Sequence, residues 1–224
     1  SISVSASGGT PNYTYLWDDG AGQTTTTATN LAPGNYTVTV TDGNGCPFTT
    51  PAVTITEPTA LTATATKVQD VQCNGAADGS ISVSASGGTP NYTYLWDDGA
   101  GQTTTTATDL SPGNYTVTVT DDNGCTFTTS PAVTITEPPV LTAIATKVQD
   151  VQCNGAADGI ISVVGSGGTA AVDYTYLWSD GQTTATASGL APGSYTVTLT
   201  DDNGCTFTTS PAVTITEPPV LTAI

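Results

Sequence analysis

The feature that most constrains the fold of this chain is an internal repeat. Three Asn-Gly-Cys triplets end at Cys46, Cys125 and Cys205, which are 79 and 80 residues apart. A period of this length exceeds the roughly 20–50 residues of solenoid repeats and suits a small independent domain. The sequence therefore predicts a tandem array of similar units.

Glu-Pro pairs mark the predicted boundaries, because proline next to a charged residue favours an exposed linker. The predicted domains are a truncated repeat 1 (1–58) that lacks its first strand, repeat 2 (59–138), repeat 3 (139–218) and the start of a further repeat (219–224). Compared with repeats 1 and 2, repeat 3 has two extra residues before its tryptophan, Trp178, within 169–173. It has two fewer residues after that tryptophan. The chain opens in mid-pattern and is interpreted as a window of a longer protein.

Apolar and polar residues alternate along short stretches, which is the period of a half-buried strand. In repeat 2 the predicted strands are A (61–73, kinked between Ala65 and Val68), B (Ile81, Val83, Ala85 on one face), C (Tyr92, Tyr94, Trp96), E (102–108), F (Tyr115, Val117, Val119) and G (Phe127, Val133, Ile135, broken near its proline). Short strands at this spacing predict an all-β fold, a tandem array of immunoglobulin/PKD-like β-sandwich repeats.

Two local motifs support the sandwich. A Leu-x-Pro-Gly-x-Tyr turn precedes strand F in every repeat and resembles the tyrosine corner of immunoglobulin-like domains. An Asn-Gly pair between alternating runs predicts an F–G hairpin whose two turn residues both have positive φ. The predicted core residues are Trp17, Trp96, Trp178, Tyr36, Tyr115 and Tyr195.

Composition excludes several functions. The chain has 19 acidic residues against two lysines, a net charge of −17, so it is not expected to bind nucleic acid or anionic membranes. It has no histidine, which excludes Ser-His and Cys-His catalysis. No apolar run approaches the roughly 20 residues of a spanning helix, so this segment is not expected to insert into a membrane. The chain is predicted not to be an enzyme.

The repeat resembles a known family. The stretches CNGAADGSISVSASGGTPNYTYLW and LSPGNYTVTVTDDNGC resemble the SprB repeat of Bacteroidota cell-surface proteins, and YxW with YTVTVTD resembles PKD-type domains. The resemblance implies a very large secreted protein, export by type IX secretion, a place at the cell surface, and a role in adhesion or gliding motility. It implies no catalytic site.

Two functions follow as hypotheses. In the first, near-identical units form the stalk or filament shaft of a surface adhesin, because a stalk needs many equal units. In the second, the repeats themselves adhere to polysaccharide or to neighbouring cells, with multivalency adding weak contacts. The expected partners are neighbouring repeats, other copies in a filament, and surface glycans.

Calcium at the repeat junctions is predicted as a structural cofactor, because hard cations bind several carboxylate oxygens. In a head-to-tail array, the A–B turn of one unit faces the F–G turn of the next. The predicted ligands at the junction of repeats 2 and 3 are Asp78, Glu137, Asp201 and Asp202. The alternative is that these four are ordinary turn and linker residues.

The five cysteines predict disulfide bonds, because the context is extracellular. Pairing within repeats would join Cys73 to Cys125 and Cys153 to Cys205. In an immunoglobulin-like topology, however, those turns lie at opposite ends, about 17–20 Å apart, whereas a disulfide needs Cα atoms within about 7 Å. The preferred pairing is therefore Cys73–Cys205, between repeats, with partners for Cys46, Cys125 and Cys153 outside this window. Pairing within repeats stays open as the alternative.

Three further motifs have simple interpretations. Lys67 and Lys147 recur on strand A, where lysines in some surface domains form isopeptide bonds, but strand G offers no Asn or Asp. They are interpreted as solvated lysines on an edge strand.

Tyr92, Tyr94 and Trp96 are interpreted as core residues or, alternatively, as a platform that binds carbohydrate. Asn-Tyr-Thr matches the N-glycosylation pattern, which repeat 3 lacks because it has Asp173 instead; this match is interpreted as chance.

Overall fold

The computed structural model describes residues 1–169 and 174–223. Asp173 and most of the predicted insertion before Trp178 lie outside the described residues. The chain divides into two compact units, Ser1–Ala60 and Leu61–Ile224, so repeats 2 and 3 share the second unit. Within the described part, no helix is long and apolar enough to cross a membrane.

Strands account for the regular structure of every repeat. Repeat 1 contains β1 (Ile2–Ser3), β2 (Thr14–Trp17), β3 (Thr27–Ala28), β4 (Gly34–Tyr36), β5 (Val38–Thr41), β6 (Pro47–Thr49) and β7 (Val53–Ile55). Repeat 2 contains β8 (Thr62–Gln69), β9 (Gly79–Ser86), β10 (Thr93–Trp96), β11 (Thr106–Leu110), β12 (Gly113–Tyr115), β13 (Val117–Thr120), β14 (Thr126–Thr128) and β15 (Val133–Ile135). Repeat 3 contains β16 (Thr142–Gln149), β17 (Gly159–Ser166), β18 (Thr175–Trp178), β19 (Thr186–Leu190), β20 (Gly193–Tyr195), β21 (Val197–Thr200), β22 (Thr206–Thr208) and β23 (Val213–Ile215).

Each full repeat is a sandwich of antiparallel sheets. In repeat 2 the sheet orders are β11–β9–β8 and β10–β13–β14, with β12 paired to β15, and repeat 3 follows the same pattern. The core side chains of repeat 2 come from both sheets: Ile81, Val83, Trp96, Ala107, Leu110, Val117, Val119 and Ile135. Repeat 3 has its own separate cluster around Trp178. The chain is therefore an all-β tandem array of immunoglobulin-like sandwich repeats, as predicted.

Strands A and E differ in extent from the prediction. Strand A ends at Gln69 instead of Cys73, and its kink is a register shift between Lys67 and Gln69 that leaves Val68 exposed. Strand E begins at Thr106 instead of Gln102. The Gln102 side chain donates to Thr108 O (2.8 Å), which closes residues 102–105 into a loop. A local hydrogen bond of this kind competes with strand pairing. The alternation of apolar and polar residues in the sequence gives no indication of it.

The predicted break in strand G is confirmed. β14 pairs with β13, whereas β15 pairs with β12. Thr129 lies at the exchange, where its N–H donates to Val117 O (3.0 Å) and its hydroxyl accepts from Val117 N (3.1 Å). Repeat 1 is one residue shorter here, yet its registers Phe48↔Val40 and Val53↔Tyr36 match those of repeat 2. The connection between the two strands absorbs the deletion.

The predicted core tryptophans are buried, at 2–3% exposure. Each indole N–H donates to a backbone carbonyl at 2.9 Å, on Thr25, Thr104 and Thr184 respectively. The three predicted core tyrosines, Tyr36, Tyr115 and Tyr195, are only half-buried. Their hydroxyls donate four residues back, to Ala32 O, Ser111 O and Ala191 O, at 2.8–2.9 Å. This is the tyrosine-corner bond, and it holds the polar end of each ring at the rim of the sandwich.

Candidate functional site at the junction of repeats 2 and 3

A disulfide bond joins the two repeats of the second unit. It links Cys73, in the turn between β8 and β9, to Cys205, in the turn between β21 and β22, with a Cα–Cα distance of 5.6 Å. This is the inter-repeat pairing preferred from the sequence. Cys46, Cys125 and Cys153 are free and exposed, so the alternative pairings within repeats are not present.

A side-chain amide adds a second link across the same junction. Asn203 Nδ2 donates to Gln72 O of repeat 2 and to Thr169 Oγ1 of its own repeat, both at 3.0 Å. Since Asn203 and Gln72 flank the two bonded cysteines, the polar contact and the disulfide hold the same two turns together.

The turn that presents Cys205 is organised by Asp201. One carboxylate oxygen accepts from Cys205 N (2.9 Å) and Asn203 N (3.0 Å), and the other accepts from Thr169 N (2.9 Å). Asp121 makes the same contacts in repeat 2, where the N–H groups of Thr89 and then Cys125 lower the pKa of its carboxyl. The carboxylate therefore acts as an acceptor for backbone donors that the loop leaves unpaired.

The F–G hairpin is present, but its turn differs from the prediction. Of the Asn-Gly pair in repeat 2, Gly124 alone has a positive φ, at 81°. Gly124 N donates to Asp121 O and Asp121 N donates to Cys125 O, both at 2.9 Å. The loop is longer than a two-residue hairpin turn, so a single left-handed residue is enough to close it.

The predicted Glu-Pro linker is hydrogen-bonded on both sides. On repeat 2, Gly75 N donates to Glu137 Oε2 (2.7 Å) and Asn74 Nδ2 donates to Pro138 O (2.9 Å). On repeat 3, Gly168 N donates to Pro139 O (2.8 Å). The linker is thus anchored to both domains. The recurring Cys-Asn-Gly motif at 73–75 was the sequence signal that could have indicated this contact.

The lysine on strand A forms an ion pair. Lys67 Nζ lies 2.7 Å from Asp70 Oδ2, with both side chains about two-fifths exposed. Asp70 Oδ1 also accepts from Thr136 N (2.7 Å) beside the linker. Lys67 and then the Thr136 N–H lower the pKa of the Asp70 carboxyl. Lys147 and Asp150 repeat the pair in repeat 3, also at 2.7 Å.

The predicted calcium ligands lie at the junction without forming a cluster. Asp78 accepts from Gln72 N (3.0 Å), Glu137 accepts from Gly75 N, and Asp201 accepts from its own turn. Asp202 follows Asp201 and is exposed. In residues 1–169 and 174–223, no three His, Cys, Asp or Glu side chains are grouped as a metal site. The described residues therefore do not gather these four, and calcium binding stays a prediction.

The aromatic residues of strand C do not form an exposed platform. Trp96 is buried, and Tyr92 and Tyr94 are half-buried and packed against the core. The outward side chains of this strand are Thr93 and Leu95, and Leu95 is 56% exposed. Alternation along the strand therefore sends all three rings inward, which favours the core interpretation.

Comparison with solved structures finds several fragments that contain more than one domain or repeat. They include three N-terminal domains of the highly immunogenic outer capsid protein of bacteriophage RB49 (17% identity, 95% of this chain and 90% of that one, TM-score 0.40). An I-band fragment of titin (14% identity, 95% and 90%, TM-score 0.33) and a tetra-tandem repeat in the extending region of a large adhesion protein (18% identity, 91% and 66%, TM-score 0.26) also match. These TM-scores lie below 0.5, and no functional conclusion follows from them. None of the curated proteins matches the chain.

The family comparison is more specific. The model of the SprB repeat matches residues 1–22, 65–101 and 145–183, one segment in each repeat. Each match includes the strand that carries the buried tryptophan. The chain therefore contains three successive segments that match the SprB repeat.

Proposed function

We propose that this chain is a non-enzymatic structural segment of a secreted bacterial surface adhesin, in which the repeats form a stalk or filament shaft. The observation that carries this proposal is the junction between repeats 2 and 3. There, two separately packed cores are joined by a disulfide bond, a side-chain hydrogen bond and an anchored linker. A shaft has to transmit force from one domain to the next. The Cys73–Cys205 bond can carry that force directly from repeat 2 to repeat 3, so the residues between the two cysteines are not stretched.

The disulfide also supports an extracellular location, because such bonds persist in oxidising compartments. The SprB repeat supports a place on the cell surface and a role in adhesion or gliding motility. Export from a Bacteroidota cell by type IX secretion is part of the proposal, and it rests on the resemblance alone.

A second candidate, direct multivalent adhesion, is favoured by one exposed surface. Leu95 points outward from β10, its cross-strand neighbour on β13 is Thr118, and Thr118 pairs in turn with Thr128 on β14, so a row of one leucine and two threonines crosses this sheet face. The same arrangement occurs at Leu16 and Leu177, also 56% exposed. An uncharged patch of leucine and hydroxyls repeated along an acidic chain could contact neutral polysaccharide weakly at several points.

Binding measurements separate these two functions. Beads would be coated with the 224-residue chain at increasing density and incubated with neutral polysaccharides, with Leu16, Leu95 and Leu177 changed to aspartate as the matched variant. For a shaft, we expect no retention at any density and no effect of the substitutions. Retention that rises with density and is lost in the variant would instead establish adhesion.

Calcium at the junction is a further proposal. It is supported by the net charge of −17 and by the position of Asp78, Glu137 and Asp201 in the turns and linker of repeats 2 and 3, since a cation would offset the repulsion among acidic side chains. We expect the melting temperature to fall when a chelator removes calcium and to recover when calcium is added back in excess. An unchanged melting temperature, with no metal found by elemental analysis, would contradict it.

A further inference from the structure

Repeat 3 has an exposed aliphatic pair on the outer side of one sheet. Ile144 of β16 lies directly opposite Val164 of β17, and the two side chains are 73% and 71% exposed. Their neighbours Ala145 and Val163 point into the core, because successive side chains of a strand point to opposite sides of a sheet. Ile160 is half-buried and lies on the outer side too, four residues before Val164 on the same strand. Ile144, Ile160 and Val164 together are the apolar face of repeat 3.

Repeat 2 forms the same strands without an apolar face. The counterparts of the three residues, 80 positions earlier, are Thr64, Ser80 and Ser84, and Thr64 lies directly opposite Ser84. The other outward hydroxyl residues of β16 and β17 are the same in both repeats: Thr142, Thr146, Ser162 and Ser166. Every difference at an outward position of these strands therefore replaces a hydroxyl by a β-branched aliphatic side chain, and the fold does not require the replacement.

The sheet that carries this face is poor in charge. β16, β17 and β19 lie entirely within the described residues and contain no Asp or Glu. Lys147 of β16 is paired with Asp150 at 2.7 Å. The corresponding sheet of repeat 2 carries Asp109 in β11, where β19 has Gly189. An uncharged apolar area on a chain of net charge −17 is typical of a surface that another molecule covers.

The charge of the chain favours a second copy as that molecule. Two copies with a net charge of −17 repel each other where their acidic turns meet, whereas these three strands bring no carboxylates together. A basic partner would instead be attracted to the acidic turns. The face is also self-complementary, because a two-fold arrangement places the same aliphatic side chains on both sides of the contact. Thr142 Oγ1 and Ser166 Oγ at its edge lie 2.8 Å apart and hydrogen-bond to each other, which lowers the cost of covering them.

We propose that the apolar face of repeat 3 packs against the same face of a second copy of the chain. From the spacing of residues and strands, the three-stranded sheet is about 26 Å long and about 14 Å wide, an area of about 370 Å². Each partner in a stable complex contributes about 800 Å², so the contact between two free chains is weak. Copies that stand side by side on one surface would add many such contacts. The inference goes beyond the proposed function, because a shaft made of a single chain needs no second copy.

Sedimentation equilibrium of the complete 224-residue chain tests the contact, at concentrations up to about 1 mM and with the free thiols blocked by iodoacetamide. We expect reversible dimers whose fraction rises with salt, because salt screens the repulsion between acidic chains. The triple variant Ile144→Thr, Ile160→Ser and Val164→Ser should weaken dimer formation about tenfold or more, because it removes three aliphatic side chains from each copy. It introduces the residues with which repeat 2 forms the same strands, so the fold is kept. Absence of dimers, or equal dimer formation by the triple variant, would overturn the proposal.

Two further variants act as matched controls. Leu177→Thr removes an aliphatic side chain that is 56% exposed on the other sheet of repeat 3, so dimers should form as in the unaltered chain. The reciprocal variant moves the face to repeat 2 by adding four changes to the triple variant: Thr64→Ile, Ser80→Ile, Ser84→Val and Asp109→Gly. It should restore the dimers. Dimers that are lost in Leu177→Thr, or that do not return in the reciprocal variant, would place the contact elsewhere and overturn the proposal.

A neutral polysaccharide is the alternative occupant of the face. Beads coated with the triple variant should retain as much polysaccharide as beads coated with the unaltered chain. Retention that only the triple variant loses would assign the face to a glycan and overturn the second copy as its occupant. Dimer formation is measured without force, so its failure would leave the shaft proposal standing.

Discussion

Changing Cys73 and Cys205 to serine is expected to lengthen the fully extended chain under force by about 450 Å. The disulfide joins residues 132 apart through a Cα–Cα distance of 5.6 Å, so a pulling force bypasses the residues between them. Without the bond, those residues can extend by about 3.5 Å each. The measurement is single-molecule extension of the 224-residue chain held at its two ends, with and without reductant.

The matched control is Cys125→Ser, which removes a free and exposed thiol from the same kind of turn. Its extension should equal that of the unaltered chain in oxidising buffer. The double variant should also lose about 2–5 kcal/mol of unfolding free energy, because the bond restricts the unfolded chain. If the oxidised chain and the double variant extend to the same length, the disulfide does not transmit force across the junction. The shaft proposal would then lose its main support.

Trp96→Ala is expected to lower the free energy of unfolding of repeat 2 by about 3–5 kcal/mol, since it leaves a large cavity in a closed core. Trp96 is 2% exposed, and its indole N–H satisfies Thr104 O. Repeats 2 and 3 have separate cores, so repeat 3 should stay folded. Hydrogen exchange read by mass spectrometry can follow both repeats, because β9 and β17 differ in sequence.

Leu95→Ala is the control, one residue away on the same strand but 56% exposed. It should change the stability by no more than about 0.5 kcal/mol. Amides of β9 should lose protection in Trp96→Ala alone, and those of β17 should keep it in both variants. Loss of protection in β17 as well would show that the two repeats unfold as one cooperative unit.

Features that depend on local pattern were predictable from the sequence. The alternation of Ile81 and Val83 with serines identified a strand with one buried face, because side chains of successive residues point to opposite sides of a sheet. The position of each tryptophan in an alternating run placed it in the core for the same reason. The preference for Cys73–Cys205 followed from the ends of the sandwich at which the turns lie and from the head-to-tail order of the repeats. Predicting it required the topology of the fold but not the positions of individual side chains.

Other features were decided only by the tertiary structure. The partners of Asp78, Glu137 and Asp201 are backbone N–H groups that folding brings within about 3 Å. The sequence indicated only that these residues carry charge, and it did not show which donors they would meet. The exchange of strand G between two partners depends on Thr129 meeting Val117, twelve residues away. The repeat in the sequence showed that the same turns and strands occur in each domain. It did not show which polar groups in those turns bond to each other. A hydrogen bond depends on the position and direction of two groups, and these groups are often far apart in the sequence.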